Sequence, residues 1–494
     1  MKRIFIYALT AAMMAVSSLV QAQVYPSVTY RKILQSPPPL ECVGVVKCLP
    51  SGQTKAQRWS VGCECLDRDM AVFSGYKKYV SELGVGYARI QSGWMKTEQK
   101  KGRYDFKWLD EIVDGLLEQN VTPWMCIGYG NPLYGCGATL ADPIFTDEAT
   151  YAAWDRYVEA LVKQYKGRVN CWEVWNEPNI GANKEHPERY VKLLLRTSAV
   201  IRKVDPQARI AAFAMASLDA KWLESALKQL KESGQENIFD VATLHKYFEN
   251  PDEGDYDFKM LGEMINSYFP GTQVIQGESG CPSMLQFCHA LKHGEWTEYT
   301  QAKVDLRRMS SDFALGQYCS IFTMADVTYP QSQVFYGLLR TSLEGEVMYK
   351  KPAFHAVRNM VNILPDNIVP IPQDFSAETS KKLKVVGLMD TETGKRAGVM
   401  VYFSGQAPTN SLEFEKVRVT FKDYRLNDPV YVEPISGKVF KLDRWHYSPN
   451  DPDRVYDLPL WDSPVFLMEK SAVRHIATED ITTQAFDASF NQDF

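Results

Sequence analysis

The sequence predicts an α/β fold, a (β/α)8 TIM barrel followed by a C-terminal β-sandwich domain. Between residues 58 and 365, short apolar segments alternate eight times with amphipathic segments, which is the pattern of a parallel sheet with crossover helices. Eight such units in about 300 residues are typical of this barrel. From residue 366 to residue 470 the helical pattern gives way to short strands and turns, which indicates an all-β domain.

The first 22 residues have the pattern of a cleavable signal peptide. Lys2 and Arg3 precede an apolar run over residues 4–20, and Ala22 ends a site of small residues. A membrane anchor is the alternative, but the run is short for a span and carries a cleavage site. We therefore expect a secreted or periplasmic protein without a stable membrane span.

Composition narrows the class of partner. The formal net charge is only -5, and Lys and Arg form no conspicuous block, so we expect no nucleic-acid partner. Aromatic residues make up 12% of the chain, which is ample for core packing and for flat surfaces on which sugars stack.

The ten cysteines permit disulfides in an exported chain. Cys42 with Cys48, and Cys281 with Cys288, are close enough in sequence to pair. Cys136 could equally reach Cys281 if both loops lie on one face of the barrel. The sequence leaves the connectivity open.

The barrel elements follow in order after residues 23–57, a proline-containing segment that we expect to be extended and able to pair with the sandwich. Asp105 can cap a helix whose apolar face begins at Phe106, and Pro352 fits the first turn of the eighth helix. The eight barrel strands are expected at residues 59–62, 87–91, 121–128, 169–175, 209–215, 239–245, 272–277 and 317–324.

The sandwich is expected to hold six or so strands, with turns at residues 390–394 and 436–437. Residues 471–494 are polar and weakly patterned, so we treat them as a C-terminal tail. The sandwich strands are expected at residues 383–388, 398–403, 417–421, 429–432, 438–442 and 465–469.

Two glutamates stand where predicted barrel strands end. Glu177 lies in the motif WNEPN, residues 175–179, after the fourth strand, and Glu278 ends the seventh. Active sites of this barrel lie at the C-terminal ends of the strands, so both carboxyl groups belong to one face. Glycoside hydrolysis needs two such groups, one to protonate the leaving oxygen and one to meet the developing positive charge.

Three other glutamates are weaker candidates. Glu173 shares the strand parity of Glu177 but lies four residues deeper, roughly 13 Å at the rise of a strand, so we expect it in a buried ion pair. Glu64 and Glu98 lie in loops after the first and second strands, where they could contact a substrate.

The sequence resembles glycoside hydrolase clan A, a group of retaining glycosidases built on this barrel. The resemblance rests on residues 175–178, on Glu278, on Arg89 in the second strand and on His-Lys-Tyr at residues 245–247. Within the clan, the barrel-plus-sandwich layout and the motif VWNEPN resemble the β-xylosidase and α-iduronidase family.

The resemblance implies a role for each matching residue. Glu177 would be the general acid/base and Glu278 the nucleophile. Arg89 and Tyr247 match the positions that donate hydrogen bonds to the nucleophile. Asn176 matches the donor to the sugar 2-hydroxyl. Apolar neighbours and the negative charge of Glu278 are expected to raise the pKa of Glu177.

Other ring-bearing residues near strand ends are candidates for binding sugar. His245 is either a core histidine or a site residue, and its His-x-Tyr spacing favours the site. The aromatic residues could equally pack in the core, and the first three of them are our predicted substrate-binding residues. They are Trp94, Trp124, Tyr129, Tyr134 and Tyr329.

The sequence therefore predicts an exported retaining glycoside hydrolase that cleaves O-glycosidic bonds by double displacement in an oligo- or polysaccharide. No cofactor or metal is implied, because a metal-dependent barrel needs clustered His and Asp at strand ends and only His245 is so placed. The alternatives are a transglycosidase with the same residues and a decayed barrel that binds carbohydrate without cleaving it.

Overall fold

The computed structural model describes residues 27–442 and 453–478. The predicted signal peptide and the last part of the predicted tail, residues 479–494, lie outside the described residues. The described chain begins with helix α1 (Val28–Gln35) and strand β1 (Cys42–Val46). The extended segment expected here is thus partly helical, because Ser27 caps α1 by accepting a hydrogen bond from the Tyr30 backbone.

Eight parallel strands close into the predicted barrel. All eight begin and end within three residues of the segments that their apolar pattern predicted. The strands are β2 (Trp59–Gly62), β3 (Tyr87–Gln91), β4 (Thr122–Ile127), β5 (Cys171–Val174), β6 (Arg209–Ala216), β7 (Val241–His245), β8 (Gln273–Ser279) and β9 (Tyr318–Ile321).

Helices cross over between the strands, and local sequence fixes where several of them start. Asp147 and Asp219 accept backbone hydrogen bonds at helix N-termini, and Thr297 forms a capping box with Thr300. The helices are α2 (Phe73–Val80), α3 (Trp94–Thr97), α4 (Lys107–Leu117), α5 (Glu148–Tyr165), α6 (Pro187–Val204), α7 (Ala220–Glu232), α8 (Asp255–Tyr268), α9 (Glu298–Ala314) and α10 (Pro352–Ile363).

The sequence analysis did not predict two short hairpins that lie between the last barrel strand and α10. Their strands have only three or four residues, too few to show an alternating pattern. They are β10 (Val327–Tyr329), β11 (Ser332–Val334), β12 (Leu339–Thr341) and β13 (Val347–Lys350).

Two antiparallel sheets form the β-sandwich. The larger sheet has eight strands, in which β1 pairs with β20 and with β23, so part of the predicted tail is a strand. The smaller sheet consists of β15, β18 and β21. The strands of the C-terminal region are β14 (Ile368–Ile371), β15 (Phe375–Ala377), β16 (Leu383–Asp390), β17 (Lys395–Phe403), β18 (Glu415–Phe421), β19 (Pro429–Glu433), β20 (Lys438–Lys441), β21 (Arg454–Leu460), β22 (Val465–Glu469) and β23 (His475–Ala477).

The hydrophobic core runs without interruption from the barrel into the sandwich. Helix α9 lies at this boundary, where the buried ammonium of Lys303 donates to the Thr409 carbonyl at 3.0 Å and pairs with Asp462. All ten cysteines lie within the described residues and are free thiols. Among the described residues, no helix combines the length and the apolar content that a membrane span requires.

Candidate active site

A cleft of about 530 Å³ opens at the C-terminal ends of the barrel strands. Enzymes with this fold place their reacting groups at this end of the barrel. Both predicted carboxyl groups line the cleft, so it is the candidate active site. Residues of the strand ends that line it are Gln91, Asn176, Glu177, His245 and Glu278.

The Glu278 carboxylate accepts hydrogen bonds from two side chains. The Tyr247 hydroxyl donates to Oε1 at 2.7 Å, and Arg89 Nη1 donates to Oε2 at 2.9 Å. Burial and the Glu278 charge raise the pKa of Tyr247 well above its usual range, so the hydroxyl keeps the proton that it donates. Two donors, one of them charged, thus hold the Glu278 carboxyl group in a fixed orientation.

Arg89 is fully buried in β3 and connects four side chains beneath the cleft. Its partners besides Glu278 are Glu64 at 2.9 Å, Asn176 at 2.7 Å and Glu173 at 3.1 Å from Nε. The buried ion pair predicted for Glu173 is confirmed. Burial raises the pKa of Glu64, which contacts Arg89 and does not line the cleft.

Asn176 lines the cleft, and its contact with Arg89 fixes how its amide is oriented. Because the amide oxygen accepts from the guanidinium, the amide NH₂ group is left to donate to a ligand. This orientation is the one that a donor to a sugar hydroxyl requires.

Glu177 stands on a strained turn that follows β5. Trp175 and Glu177 adopt left-handed φ angles of 67° and 51°. This conformation costs a non-glycine residue on the order of 1 kcal/mol. Backbone hydrogen bonds from Trp175 to Ile127 and from Glu177 to Ala214 hold the turn between β4 and β6. The strained turn thus carries the Glu177 carboxyl to the cleft.

The environment of Glu177 lacks donors. Its side chain is 17% exposed, and no group among the described residues donates a hydrogen bond to it. Burial raises the pKa of Glu177 to about 7, against the opposing effect of the Arg89 guanidinium. Burial therefore raises this pKa, as the apolar neighbours led us to expect, and the charge of Glu278, which was also expected to raise it, is not among the causes. A carboxyl group with this pKa can hold a proton near neutral pH, as a general acid must.

His245 lies between the two carboxyl groups. Its Nδ1 is 3.6 Å from Glu177 Oε1 and 3.8 Å from Glu278 Oε2. Burial lowers the pKa of His245 to about 4, so the ring is neutral. A side-chain carbon at Gly277 would lie 2.9 Å from His245 Nε2, so glycine at this position lets the ring pack against β8.

The spacing of the two carboxyl groups decides what chemistry they suit. The nearest oxygens of Glu177 and Glu278 and one nitrogen of His245 all lie within 4.8 Å of one another. This is close to the ~5–5.5 Å of retaining glycosidases and well below the ~6.5–9.5 Å of inverting ones. The same three atoms could ligate a metal, but both Glu278 oxygens already accept hydrogen bonds, which fits a nucleophile better than a ligand.

The substrate-binding prediction is wrong for Trp94 and Trp124. Trp94 is fully buried and packs against Tyr134, Trp154 and Tyr157. Trp124 points into the barrel interior near the opposite, N-terminal end of the strands, beside Cys171 and Ile275. A position near a strand end does not reveal whether a side chain turns toward the cleft or the core.

Glu98 and Tyr134, two further candidates from the sequence, make structural contacts within the loops. The Glu98 carboxylate is fully buried and accepts hydrogen bonds from Trp94 Nε1, the Gly102 backbone and the Tyr134 hydroxyl, each at 2.6 Å. These contacts anchor the loop after β3, and neither residue lines the cleft.

Tyr129 and Tyr329 do line the cleft. The loops after β2, β8 and β9 add residues that the sequence analysis did not find. Their only signal in the sequence is that they follow predicted barrel strands, where loops build the site. These additional residues are Arg68, His289, Phe322 and Tyr336.

The closed barrel, the paired carboxyl groups and the buried arginine beneath them define a glycoside hydrolase of clan A. The model of the family described as "Glycosyl hydrolases family 39" matches residues 24–269. The chain is therefore a clan A glycoside hydrolase related to the β-xylosidases, as its motifs indicated, in a family of retaining enzymes that hydrolyse O-glycosyl bonds.

Individual relatives agree with this assignment. A β-xylosidase from Geobacillus stearothermophilus is 28% identical over 144 residues, which are 26% of this chain and 28% of that protein. The alignment thus spans less than a third of that relative.

Solved structures show the same fold at lower identity. A family 39 glycoside hydrolase from Bacteroides cellulosilyticus WH2 has a TM-score of 0.63 and 17% identity, covering 84% of this chain and 81% of that one. A family 39 enzyme from Xanthomonas axonopodis pv. citri has a TM-score of 0.58 and 17% identity, covering 86% and 95%.

Proposed function

We propose that the protein is an exported retaining glycosidase in which Glu177 is the general acid/base and Glu278 the nucleophile. The observation that carries the proposal is the separation of less than 4.8 Å between their nearest oxygens. That gap leaves no room for the water that an inverting enzyme places between its carboxyl groups.

In the first step, Glu177 donates its proton to the departing glycosidic oxygen. Its pKa of about 7 supports this role, because the group is protonated below that pH and can give the proton to a basic oxygen. At the same time Glu278 attacks the anomeric carbon and forms a covalent glycosyl-enzyme. The hydrogen bonds from Tyr247 and Arg89 hold the attacking carboxylate in position.

In the second step, Glu177 is ionised and removes a proton from an incoming water. The water attacks the anomeric carbon and breaks its bond to Glu278, which leaves as a carboxylate. Two inversions at this carbon give net retention of its configuration. Glu177 regains its proton, and both residues return to their starting states.

The sugar is proposed to stack on the aromatic walls formed by Tyr129 and Tyr329 and to accept a hydrogen bond from the Asn176 amide at its 2-hydroxyl. The relative that is named a β-xylosidase makes β-xylosides the first substrates to test. A screen of nitrophenyl glycosides then extends the test to other sugars.

Trapping of the intermediate tests the mechanism directly. A 2-fluoro glycoside of the hydrolysed sugar should label Glu278, which mass spectrometry of the digested protein can locate. NMR should show that the first-formed sugar keeps the anomeric configuration of the substrate. A label on Glu173, or an inverted product, would falsify these roles.

The acid/base role of Glu177 has its own test. Glu177→Ala should reduce turnover strongly for glycosides with basic leaving groups and much less for nitrophenyl glycosides, since only a basic oxygen needs the proton. Equal losses on both substrate types would contradict the role. Sugar products longer than the substrate would instead indicate a transglycosidase.

Export rests on the predicted signal peptide alone. The mature protein should begin at Gln23, which N-terminal sequencing of the secreted or periplasmic protein can check. Recovery of the uncleaved chain from a membrane fraction would favour an anchor.

A further inference from the structure

A second cleft, of about 410 Å³, lies in the loop that follows β3 and the start of α4. Because β3 is a barrel strand, this loop rises on the same face as the catalytic cleft. None of its residues takes part in the proposed reaction. We call it the basic groove and define it by Lys96, Lys100, Arg103, Lys107 and Trp108.

Cations outnumber acids in the basic groove. Lys100, Arg103 and Lys107 are exposed, and no carboxylate of the described residues lies within 4.0 Å of their charged groups. The nearby Glu98 is fully buried and committed to donors of its own loop. Asp105 lines the groove, and its Oδ1 accepts from the Lys107 backbone at 3.1 Å. Three unpaired cations against one acid give the groove a net positive charge in a chain whose net charge is -5.

An aromatic side chain borders these cations. The half-buried indole of Trp108 donates to Thr97 Oγ1 at 3.2 Å, and Lys96 Nζ lies 4.4 Å from the centroid of its ring. The ring is thus held in a fixed position. A fixed indole offers an apolar surface on which the carbon-bound hydrogens of a sugar can pack. The surrounding cations offer no such surface.

The basic groove adjoins the catalytic cleft through one short turn. Lys96 Nζ donates to the Leu66 carbonyl at 2.7 Å and pairs with Asp69. Arg68, between those two residues, lines the catalytic cleft. The groove and the catalytic cleft therefore share this turn as a common border.

We propose that the basic groove binds the part of a glycan that carries carboxylate or sulfate groups while another part of the same chain occupies the catalytic cleft. The inference rests on the proposed function, since it assigns the groove to that enzyme's substrate. Exposed Lys and Arg attract such groups over a range set by the ionic strength.

A glycan fits this groove better than a nucleic acid does. The groove has one fixed indole, whereas single-stranded nucleic acids are bound on a series of stacked aromatic rings. Its position beside a glycoside hydrolase site also places any bound glycan within reach of the catalytic pair.

Affinity electrophoresis in native gels tests the proposal with two matched pairs of polymers. Polygalacturonate is compared with methyl-esterified pectin, and dextran sulfate with dextran, so that each pair differs in charge on one backbone. The anionic polymers should retard the wild-type protein, and the neutral ones should not. Retardation by one anionic polymer alone identifies carboxylate or sulfate as the group recognised, and either result supports the proposal.

The variant that tests the groove is Lys100→Glu with Arg103→Glu, two exposed positions. Its affinity for the retarding polymer should fall about tenfold or more, as expected for reversing two exposed charges. The control is Lys221→Glu with Lys228→Glu on α7, which makes the same charge change on an exposed outer helix and should bind like wild type. The retardation should also weaken toward ~1 M salt, where the screening length is about 3 Å.

Three results would overturn the proposal: no retardation by either anionic polymer, equal loss in both double variants, or stronger retardation by double-stranded DNA than by either glycan. Hydrolysis of nitrophenyl glycosides separates this outcome from failure of the proposed function. Neither Lys100 nor Arg103 lines the catalytic cleft, so Lys100→Glu with Arg103→Glu should hydrolyse this small substrate at the wild-type rate. A wild-type protein that hydrolyses no glycoside contradicts the proposed function whatever the gels show.

Discussion

The two sides of the catalytic cleft place the same residue type in opposite surroundings. On the β8 side, Glu278 accepts hydrogen bonds from the Tyr247 hydroxyl and the Arg89 guanidinium. On the β5 side, Glu177 has no donor among the described residues, and burial raises its pKa to about 7. Donated hydrogen bonds favour the carboxylate, whereas burial without donors favours the carboxylic acid.

The difference supports the roles proposed for these two glutamates, whose nearest oxygens lie less than 5 Å apart: acid/base for Glu177 and nucleophile for Glu278. The division depends on the side chains that each carboxyl group contacts, which come from different strands. Changes at the carboxyl groups and at their contacts should therefore affect activity more than changes elsewhere in the barrel.

Glu278→Gln should abolish most of the activity, by on the order of 10⁴-fold or more, because an amide cannot form the glycosyl-enzyme. Steady-state kinetics on an activated glycoside measures the loss. Glu263→Gln makes the same chemical change on the exposed surface of α8 and should leave the rate unchanged. Residual activity within tenfold of wild type would show that Glu278 is not the nucleophile.

Tyr247→Phe should lower kcat roughly 10- to 100-fold, the usual effect of losing one hydrogen bond to a charged group. The ring stays in place, so KM should change little. Tyr256→Phe is the matched control, since Tyr256 is 76% exposed on α8. An unchanged kcat would mean that the 2.7 Å contact with Glu278 does not assist catalysis.

The pKa of Glu177 predicts the pH dependence of both activity and stability. Hydrolysis of glycosides with basic leaving groups should fall as the pH rises through about 7, because the acid loses its proton there. The Glu177→Gln variant, measured on activated glycosides, should be slower than wild type, and its rate should not decline as the pH rises through about 7. If the variant still lost activity above about pH 7, the decline would belong to the titration of another group.

The same shift predicts a stability effect whose sign is fixed. Because the folded pKa of about 7 exceeds the ordinary value of 4.5, the folded state holds the proton more tightly. Stability from this group is therefore complete below about pH 4.5 and is lost as the pH rises to about 7, by roughly 3 kcal/mol at most. Urea unfolding near pH 4 and pH 8 should show that wild type loses more stability than Glu177→Gln. Equal losses would contradict the burial argument.

Trp124→Phe should have the smallest effect on activity. The side chain packs inside the barrel away from the cleft, so KM for a glycoside should stay within about twofold of wild type while the free energy of unfolding falls by roughly 1–3 kcal/mol. Tyr129→Ala, in the cleft, should raise KM instead. A large rise in KM for Trp124→Phe would show that Trp124 contacts the substrate, as the sequence analysis predicted.

Local sequence patterns predicted most of the fold because the barrel strands and helices carry their own periodicity, and some of the helices also begin at a side-chain cap. Asp147 and Asp219 begin their helices as their residue type favours. The hairpins between β9 and α10 were missed since they are too short to show a period. Helix α1 was missed because its one buried face, Tyr30, Ile33 and Leu34, lies in a segment with nearby prolines that suggested extended chain.

The sequence by itself determined which carboxyl groups share one face, because the motif at residues 175–179 and Glu278 both end parallel strands of a barrel. It also determined that Glu173 is too deep in its strand for the same sugar bond. Only the tertiary structure decided which aromatic rings face the cleft, that Glu64 shares Arg89 with Glu278, and that burial raises the pKa of Glu177 without help from the Glu278 charge. Those properties depend on contacts between strands that are far apart in the chain, and no local pattern records them.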